Sequence, residues 1–153
     1  IEYERFEHPP VMTVEDAGLF DGKIPGARCK NLFLWDKSGK NHLLVIALAE
    51  TTVDLSILGK LMNTNHLSFA STERLMKLLG LLPGAVSPFG LINDREHVVK
   101  VVLDSALLRE KTAGFHPNVN TATLVISIID LRKFISTCNN SIIEIDFILQ
   151  NIM

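Results

Sequence analysis

Asn31-Leu32-Phe33-Leu34-Trp35 and His42-Leu43-Leu44-Val45-Ile46-Ala47-Leu48 are two apolar runs joined by Asp36-Lys37-Ser38-Gly39-Lys40. Runs this short, on either side of a polar connection that holds a glycine, read as the two strands of a β-hairpin. Leu43 to Leu48 contains no polar residue and so lacks the alternation of a strand with one wet face. A central strand covered on both faces is expected there.

Upstream of the hairpin, Tyr3 to His8 is expected to form a short strand that stops at Pro9-Pro10. Thr13 is placed to cap a short helix through Glu15, Asp16 and Ala17, and a loop with Gly22, Pro25 and Gly26 follows. Downstream, Leu55, Leu58, Leu61 and Met62 recur at helical spacing behind Asp54 as a cap. His66 to Phe69 reads as a short strand. Ser71 opens a helix whose stripe is Leu75, Leu78 and Leu79 and whose stop is Gly80. Further strands are expected at Phe89–Ile92, Val98–Leu103, Thr121–Ile126 and Ile142–Phe147, with helices at Ser105–Arg109 and Ile128–Ile135. Asn93-Asp94 marks a turn. Strands and helices mix without strict βαβα alternation. The expected fold is therefore α/β: one domain over residues 1–153, with a mixed, largely antiparallel central sheet flanked by helices.

The 153 residues, 47% of them hydrophobic and 21% charged, suit one core of ordinary size. Two cysteines, Cys29 and Cys138, are too few for a disulfide framework, and a reducing cytoplasm is the expected location. No run reaches the ~18 unbroken apolar residues of a membrane span. Ile1 to Arg5 lack the basic-then-apolar pattern of a signal peptide, and a start at isoleucine suggests a trimmed N-terminus. A formal net charge of -2 argues against a broad electrostatic grip on nucleic acid, yet leaves room for a protein that touches only the end of an RNA.

The familiar catalytic signatures are missing. His8, His42, His66, His97 and His116 show no metal-ligand spacing, and the chain has no CxxC pair, GxSxG elbow, P-loop or dinucleotide fingerprint. Three places could carry chemistry. Lys30, just before the first hairpin run, is either a solvated strand-edge lysine or a single positive charge at the mouth of a pocket, able to anchor a phosphate. Gly84-Ala85-Val86-Ser87-Pro88 is either a plain turn or a loop whose backbone N–H groups hold a carbonyl. Phe115-His116-Pro117-Asn118-Val119-Asn120-Thr121 sets a histidine, two amides and a hydroxyl before a strand, for structural hydrogen bonding or for contact with a ligand.

Five blocks stand in order along the chain: Glu7-His8-Pro9-Pro10-Val11; Cys29-Lys30-Asn31-Leu32-Phe33-Leu34; Leu67-Ser68-Phe69-Ala70-Ser71; Gly84 to Pro88 followed by Phe89 and Leu91-Ile92-Asn93-Asp94; and Phe115 to Thr123. With them the chain resembles the YbaK/ProX family of tRNA editing domains, from about Phe6 to Phe147, and most of all its freestanding alanine-deacylating branch. The resemblance implies hydrolysis of alanine mischarged onto tRNA(Pro), with the tRNA acceptor end as partner, prolyl-tRNA synthetase as a further partner, and no membrane. It implies that Lys30 fixes the 3′-terminal adenosine and that Gly84, Ala85, Val86, Ser87 and Pro88 surround the aminoacyl carbonyl and the attacking water. It places His116 in the active site with Asn120 as its polar neighbour. Sister activities on Cys-tRNA or Ser/Thr-tRNA, and a non-catalytic tRNA- or synthetase-binding module, are the alternatives. An excised piece of a synthetase is a further one, against which the block order and the Glu7–Val11 segment favour a freestanding protein.

The chemistry asks little of the protein. An aminoacyl ester is already activated, so a placed water and a stabilised oxyanion suffice, with no cofactor, no metal and no covalent nucleophile. Cys29 adjoins Lys30 but on a strand points to the opposite face, so no nucleophilic role is assigned to it. Discrimination is expected to be steric, by a pocket sized for a methyl group, with Phe33, Val45 and Phe69 as candidate lining residues. Lys37, Lys40 and Arg74 read as solvated surface that could meet the acceptor stem.

Overall fold

A computed structural model describes residues 1–10 and 23–153 of the chain. The short helix expected from Thr13 to Ala17, together with Val11 and Gly22, lies outside the described residues.

The expected hairpin is the centre of the molecule. Strand β2 (Cys29–Trp35) runs antiparallel to β3 (His42–Leu48), with Phe33 opposite Leu44 and Trp35 opposite His42. Every residue of β3 is buried. Its alternation divides the interior in two: Leu44, Ile46 and Leu48 face one apolar cluster, while Leu43, Val45 and Ala47 face another. The connecting turn is built on Asp36. Its carboxylate accepts from the Ser38 hydroxyl at 2.6 Å, the Asn41 backbone N–H at 3.3 Å and the Asn41 side-chain amide at 2.5 Å. Gly39 takes the left-handed φ of 70° that the turn requires.

β3 pairs in parallel with β5 (Val99–Asp104), and β5 in parallel with β8 (Ile142–Asp146). Antiparallel β4 (Ser68–Phe69) and β9 (Asn151–Ile152) close the two edges, giving the order β4-β2-β3-β5-β8-β9. The expected mixed sheet is thus present, with antiparallel outer pairings around two parallel inner seams. Parallel neighbours need long crossovers, and these carry the helices. Helices α1 (Leu55–Leu61) and α2 (Thr72–Leu79) lie between β3 and β5; α3 (Ile128–Thr137) lies between β5 and β8. Asp54, Ser71 and Ser127 cap their N-termini by accepting from Ser56 and Ile57, Arg74 and Asp130 respectively. Gly80 ends α2 at φ 65°.

A second sheet was not expected. β1 (Glu4–Glu7), β7 (Ala122–Ser127) and β6 (Thr112–Phe115) form a three-stranded antiparallel sheet in the order β1-β7-β6. Ala113, Phe115 and Ile126 turn inward from it to join α2, α3 and the Leu44 face of β3. A parallel bridge between Ala27 and Ala113 ties the two sheets together. The strand expected at Phe89–Ile92 is instead a 3-10 helix over Pro88–Asn93. Pro88 fixes the first helical φ, the Ser87 hydroxyl accepts from Phe89 N–H, and Gly90 lies so close to Leu79 and Leu81 that a Cβ would meet Leu81 Cδ1 at 2.7 Å. The remaining helix, Leu107–Arg109, is a single 3-10 turn.

The Asp36 turn gives a pH-dependent test. Its three hydrogen bonds, led by that from Ser38, hold the carboxyl at about 2, below its usual 3.8. The folded value is the lower one, so the ionised form stabilises the fold above pH 4 and this contribution is lost as pH falls through 2. Asp36→Ala is expected to lower stability by about 1–2 kcal/mol at pH 7. Urea melts should show that gap from wild type closing between about pH 4 and pH 2; an equal gap at both ends would refute the assignment.

Candidate active site

The expected site residues sit on three elements. Gly84 has φ 85°, a conformation that favours glycine over any residue with a Cβ. Ala85 and Pro88 are buried and Ser87 is fully enclosed, while Val86 and Phe89 pack partly buried on the core. Within the loop, Ala85 N–H donates to Leu82 O at 3.1 Å and Gly90 N–H to Ser87 O at 3.2 Å. The N–H groups of Gly84, Val86 and Ser87 donate to no acceptor among the described residues. A glycine-led loop with unpaired N–H groups is suited to hold a carbonyl or an oxyanion.

His116 follows β6 directly and is half-buried. Its Nδ1 lies 3.0 Å from Ala122 O, and a carbonyl only accepts, so Nδ1 carries the proton and Nε2 keeps its lone pair. Burial pushes the imidazole below its ordinary value of 6.5; the Ala122 carbonyl opposes this and neighbouring His8 adds to it. The two rings are 6.0 Å apart. His8 places Nδ1 2.9 Å from Pro9 O and Nε2 2.9 Å from Thr123 Oγ1. A proton on Nδ1 toward the carbonyl leaves Nε2 to accept from the Thr123 hydroxyl. Phe89, just after the Gly84–Pro88 loop, meets Phe115 edge-on at 6.3 Å, so the loop and the strand that delivers His116 share one packing unit. Asn120 lies half-buried in the β6–β7 connection.

Lys30 is held elsewhere. It stands opposite Ala47 in β2, on the face shared with Leu32 and Leu34, and is half-buried. Its ammonium donates to the Thr51 carbonyl, which leaves two of its three donors for a ligand. Thr51 is itself anchored by its hydroxyl, 2.5 Å from Asp104 Oδ2. The same buried carboxylate accepts from Leu48 N–H at 3.1 Å and Ala106 N–H at 3.0 Å. Among the described residues no hydrogen bond or ion pair joins Lys30 to His116 or to the Gly84–Pro88 loop. Asn31 and Cys29 lie on the opposite face of β2, together with Phe33, toward the second sheet.

The expected pocket lining does not hold. Phe33 packs in one core cluster, Val45 in the other, and Phe69 is 63% exposed on an edge strand, so the three share no cavity. The sequence reading passed over Asp104, Thr51 and the pairing of His8 with His116, whose contacts join residues far apart in the chain. Arg74 stacks over Trp35, 5.6 Å from the ring centroid, and Lys37 and Lys40 are exposed on the hairpin turn. A cleft of about 470 Å³ is lined by Arg28, Glu50, Arg109, Glu110 and Lys111 among others and contains none of the expected site residues. Among the described residues no group could hold a metal ion, and no helix is long and apolar enough to cross a membrane.

Residues 8–134 match the family model for the aminoacyl-tRNA editing domain. The chain belongs to that family. It is 42% identical over 141 residues to the prolyl-tRNA editing protein ProX of Acetoanaerobium sticklandii, covering 92% of this chain and 86% of that one. It is 35% identical over 151 residues to the mouse prolyl-tRNA synthetase associated domain-containing protein 1, covering 96% and 89%. The fold is also that of a candidate trans-editing enzyme for prolyl-tRNA synthetase of solved structure, with a TM-score of 0.67 at 18% identity over 92% of this chain and 83% of that one.

The surroundings of Cys29 disfavour its thiolate. Burial pushes its thiol far above the ordinary range, and the carboxylates of Asp104, Glu50 and Glu110 push it further. Iodoacetamide at pH 8 is expected to leave Cys29 unmodified in the folded protein and to label it once urea unfolds the chain. Rapid labelling of the native protein, read by peptide mass spectrometry, would refute this.

Proposed function

We propose that this chain is a trans-editing deacylase that hydrolyses alanine mischarged onto tRNA(Pro), the activity of the ProXp-ala branch of its family. The observation that carries the reading is the Gly84–Pro88 loop, whose unpaired N–H groups are packed through Phe89 and Phe115 against the strand that ends in a neutral His116. The 42% identity to a protein named for prolyl-tRNA editing supports the same reading.

In this reading the loop N–H groups take the ester carbonyl and stabilise negative charge as water adds to the carbonyl carbon. The bond to the ribose oxygen breaks, that oxygen takes a proton, and alanine leaves as its carboxylate. His116 Nε2, with its lone pair free to accept, orients the attacking water or the ribose 2′-hydroxyl, and Asn120 adds a polar contact beside it. Lys30 offers its two remaining donors to the 3′-terminal adenosine. The whole of residues 1–153 acts as one editing domain, in the cytoplasm, on the acceptor end of a tRNA released by prolyl-tRNA synthetase, and needs no cofactor.

The deciding assay compares hydrolysis of Ala-tRNA(Pro), Pro-tRNA(Pro), Ser-tRNA(Pro) and Cys-tRNA(Pro). Alanine alone is expected to be removed, with Lys30→Ala slowing the reaction on the order of 100-fold. Turnover of serine or cysteine in place of alanine would move the chain to a sister activity; no turnover would make it a binding module.

The pH profile is a separate prediction. The folded value of His116 lies below 6.5, so its neutral form persists to lower pH than that of a free imidazole. After subtraction of spontaneous ester hydrolysis, kcat/KM is expected to stay flat from pH 8 down to 6.5 and to fall only at lower pH. That acid limb should vanish in His116→Ala; its survival in the variant would remove His116 from the reaction.

A further inference from the structure

Two side-chain oxygens near the proposed site are buried and bonded to nothing. Asn31 Oδ1 and Asn118 Oδ1 are shut off from solvent and have no hydrogen-bond partner. A buried acceptor left unpaired destabilises a fold, and such atoms are few in native proteins. These two belong to the two sequence blocks that hold Lys30 and His116. Two further described residues hold buried unpaired polar atoms: both ring nitrogens of His42, which stacks on Phe33, and Oδ1 of Asn140, whose amide nitrogen donates to Asp94 and to the Val99 carbonyl; neither residue belongs to those two blocks.

The two asparagines both follow the bridge that joins the two sheets. β2 and β6 leave the Ala27–Ala113 bridge in the same direction because that bridge is parallel. Asn31 is four residues beyond it on one chain and Asn118 five residues beyond it on the other. On β2, Asn31 shares the face of Cys29 and Phe33, which looks into the cluster containing Ala113 and Phe115. Asn118 stands at φ 61° in the β6–β7 connection, whose ends are pinned by the bond from His116 Nδ1 to Ala122 O.

An amide oxygen only accepts, so its missing partner is a donor. The reacting end of an aminoacyl ester has few donors: the carbonyl and the methyl group of alanine have none, and a ribose hydroxyl can donate once. The α-ammonium has three. Two acceptors on separate elements can be satisfied together by one ammonium group, and not by one hydroxyl. Resting on the editing reading above, we propose that Asn31 and Asn118 are the substrate-positioning pair that accepts hydrogen bonds from the α-ammonium of the aminoacyl group. The ammonium is one carbon away from the ester carbonyl. Fixing it sets the distance and angle at which that carbonyl meets the Gly84, Val86 and Ser87 N–H groups.

The test uses two esters on the same tRNA, alanyl and propionyl, which differ by the amino group alone. A site whose buried acceptors expect a donor discriminates against a substrate that lacks it. Wild type is expected to favour the alanyl ester in kcat/KM by roughly 10- to 100-fold. Asn31→Leu suits a strand, and Asn118→Gly tolerates the positive φ, so both should fold; thermal melts check this. Each is expected to reduce the alanyl-to-propionyl preference by about 10-fold, while Asn31→Asp, which keeps acceptor oxygens, retains it. Variants that slow both esters equally, or that leave the preference unchanged, overturn the ammonium assignment and leave the editing reading standing. A wild type that cleaves neither ester overturns the editing reading and this inference with it.

Discussion

A strand with every side chain buried cannot lie at a surface, and that constraint at β3 organises the rest of the chain. Leu43, Val45 and Ala47 require a cover on one face, and α1 with Leu58 and Met62 supplies it. Leu44, Ile46 and Leu48 require one on the other, supplied by α2, α3 and the inward residues of the second sheet. Each buried aliphatic side chain contributes on the order of 1.5–3 kcal/mol. Loss of either cover would therefore expose more apolar surface than a marginally stable domain can tolerate.

The same burial fixes where polar groups can go. Beyond the end of β3 the chain must turn with its backbone satisfied, and Asp104, at the end of neighbouring β5, accepts from Leu48 N–H and the Thr51 hydroxyl. That places the Thr51 carbonyl, which in turn accepts from Lys30. Lys30 therefore has a defined position because two central strands end side by side, and a charged residue two positions into β2 becomes part of the core's own terminus. On the other face the second sheet, tied by the Ala27–Ala113 bridge, carries His116 and Asn118 on its β6–β7 connection.

What could be read from the sequence follows from how local the signals are. The hairpin, α2 from Ser71 to Gly80 and the cap at Asp54 were legible because apolar period and capping residues agree within a few positions. Phe89–Ile92 misled because so short a run, three apolar side chains and a glycine, suits a strand or a helix equally, and a close approach of Gly90 to Leu79 and Leu81, invisible locally, decided for the 3-10 form. β6 was missed because Thr112-Ala113-Gly114-Phe115 carries a glycine and only two large side chains; its strand character comes from pairing with β7. The blocks around Lys30, Gly84 and His116 were legible through resemblance. The two faces of β2 and the orphaned oxygens of Asn31 and Asn118 were not, because they depend on which element covers which side.

The polar groups available at the proposed site share a property that bears on selectivity. In the proposed reading the loop N–H groups address a carbonyl, Lys30 a terminal adenosine, and the two asparagine oxygens an α-amino group. Every aminoacyl-tRNA ester has these parts, and proline keeps a charged amine with two donors of its own. None of these contacts can separate alanine from proline, and they leave the side chain untouched. A pocket rewarding the larger ring would still admit the methyl group, since a missing methylene weakens binding by only about 1–3 kcal/mol. Discrimination of the required sense must then come from volume the ring cannot enter. In the proposed reading a rigid apolar wall would suit that task, and the close-packed cluster of Phe33, Phe115 and Ile126 lies on the face of β2 that Asn31 shares.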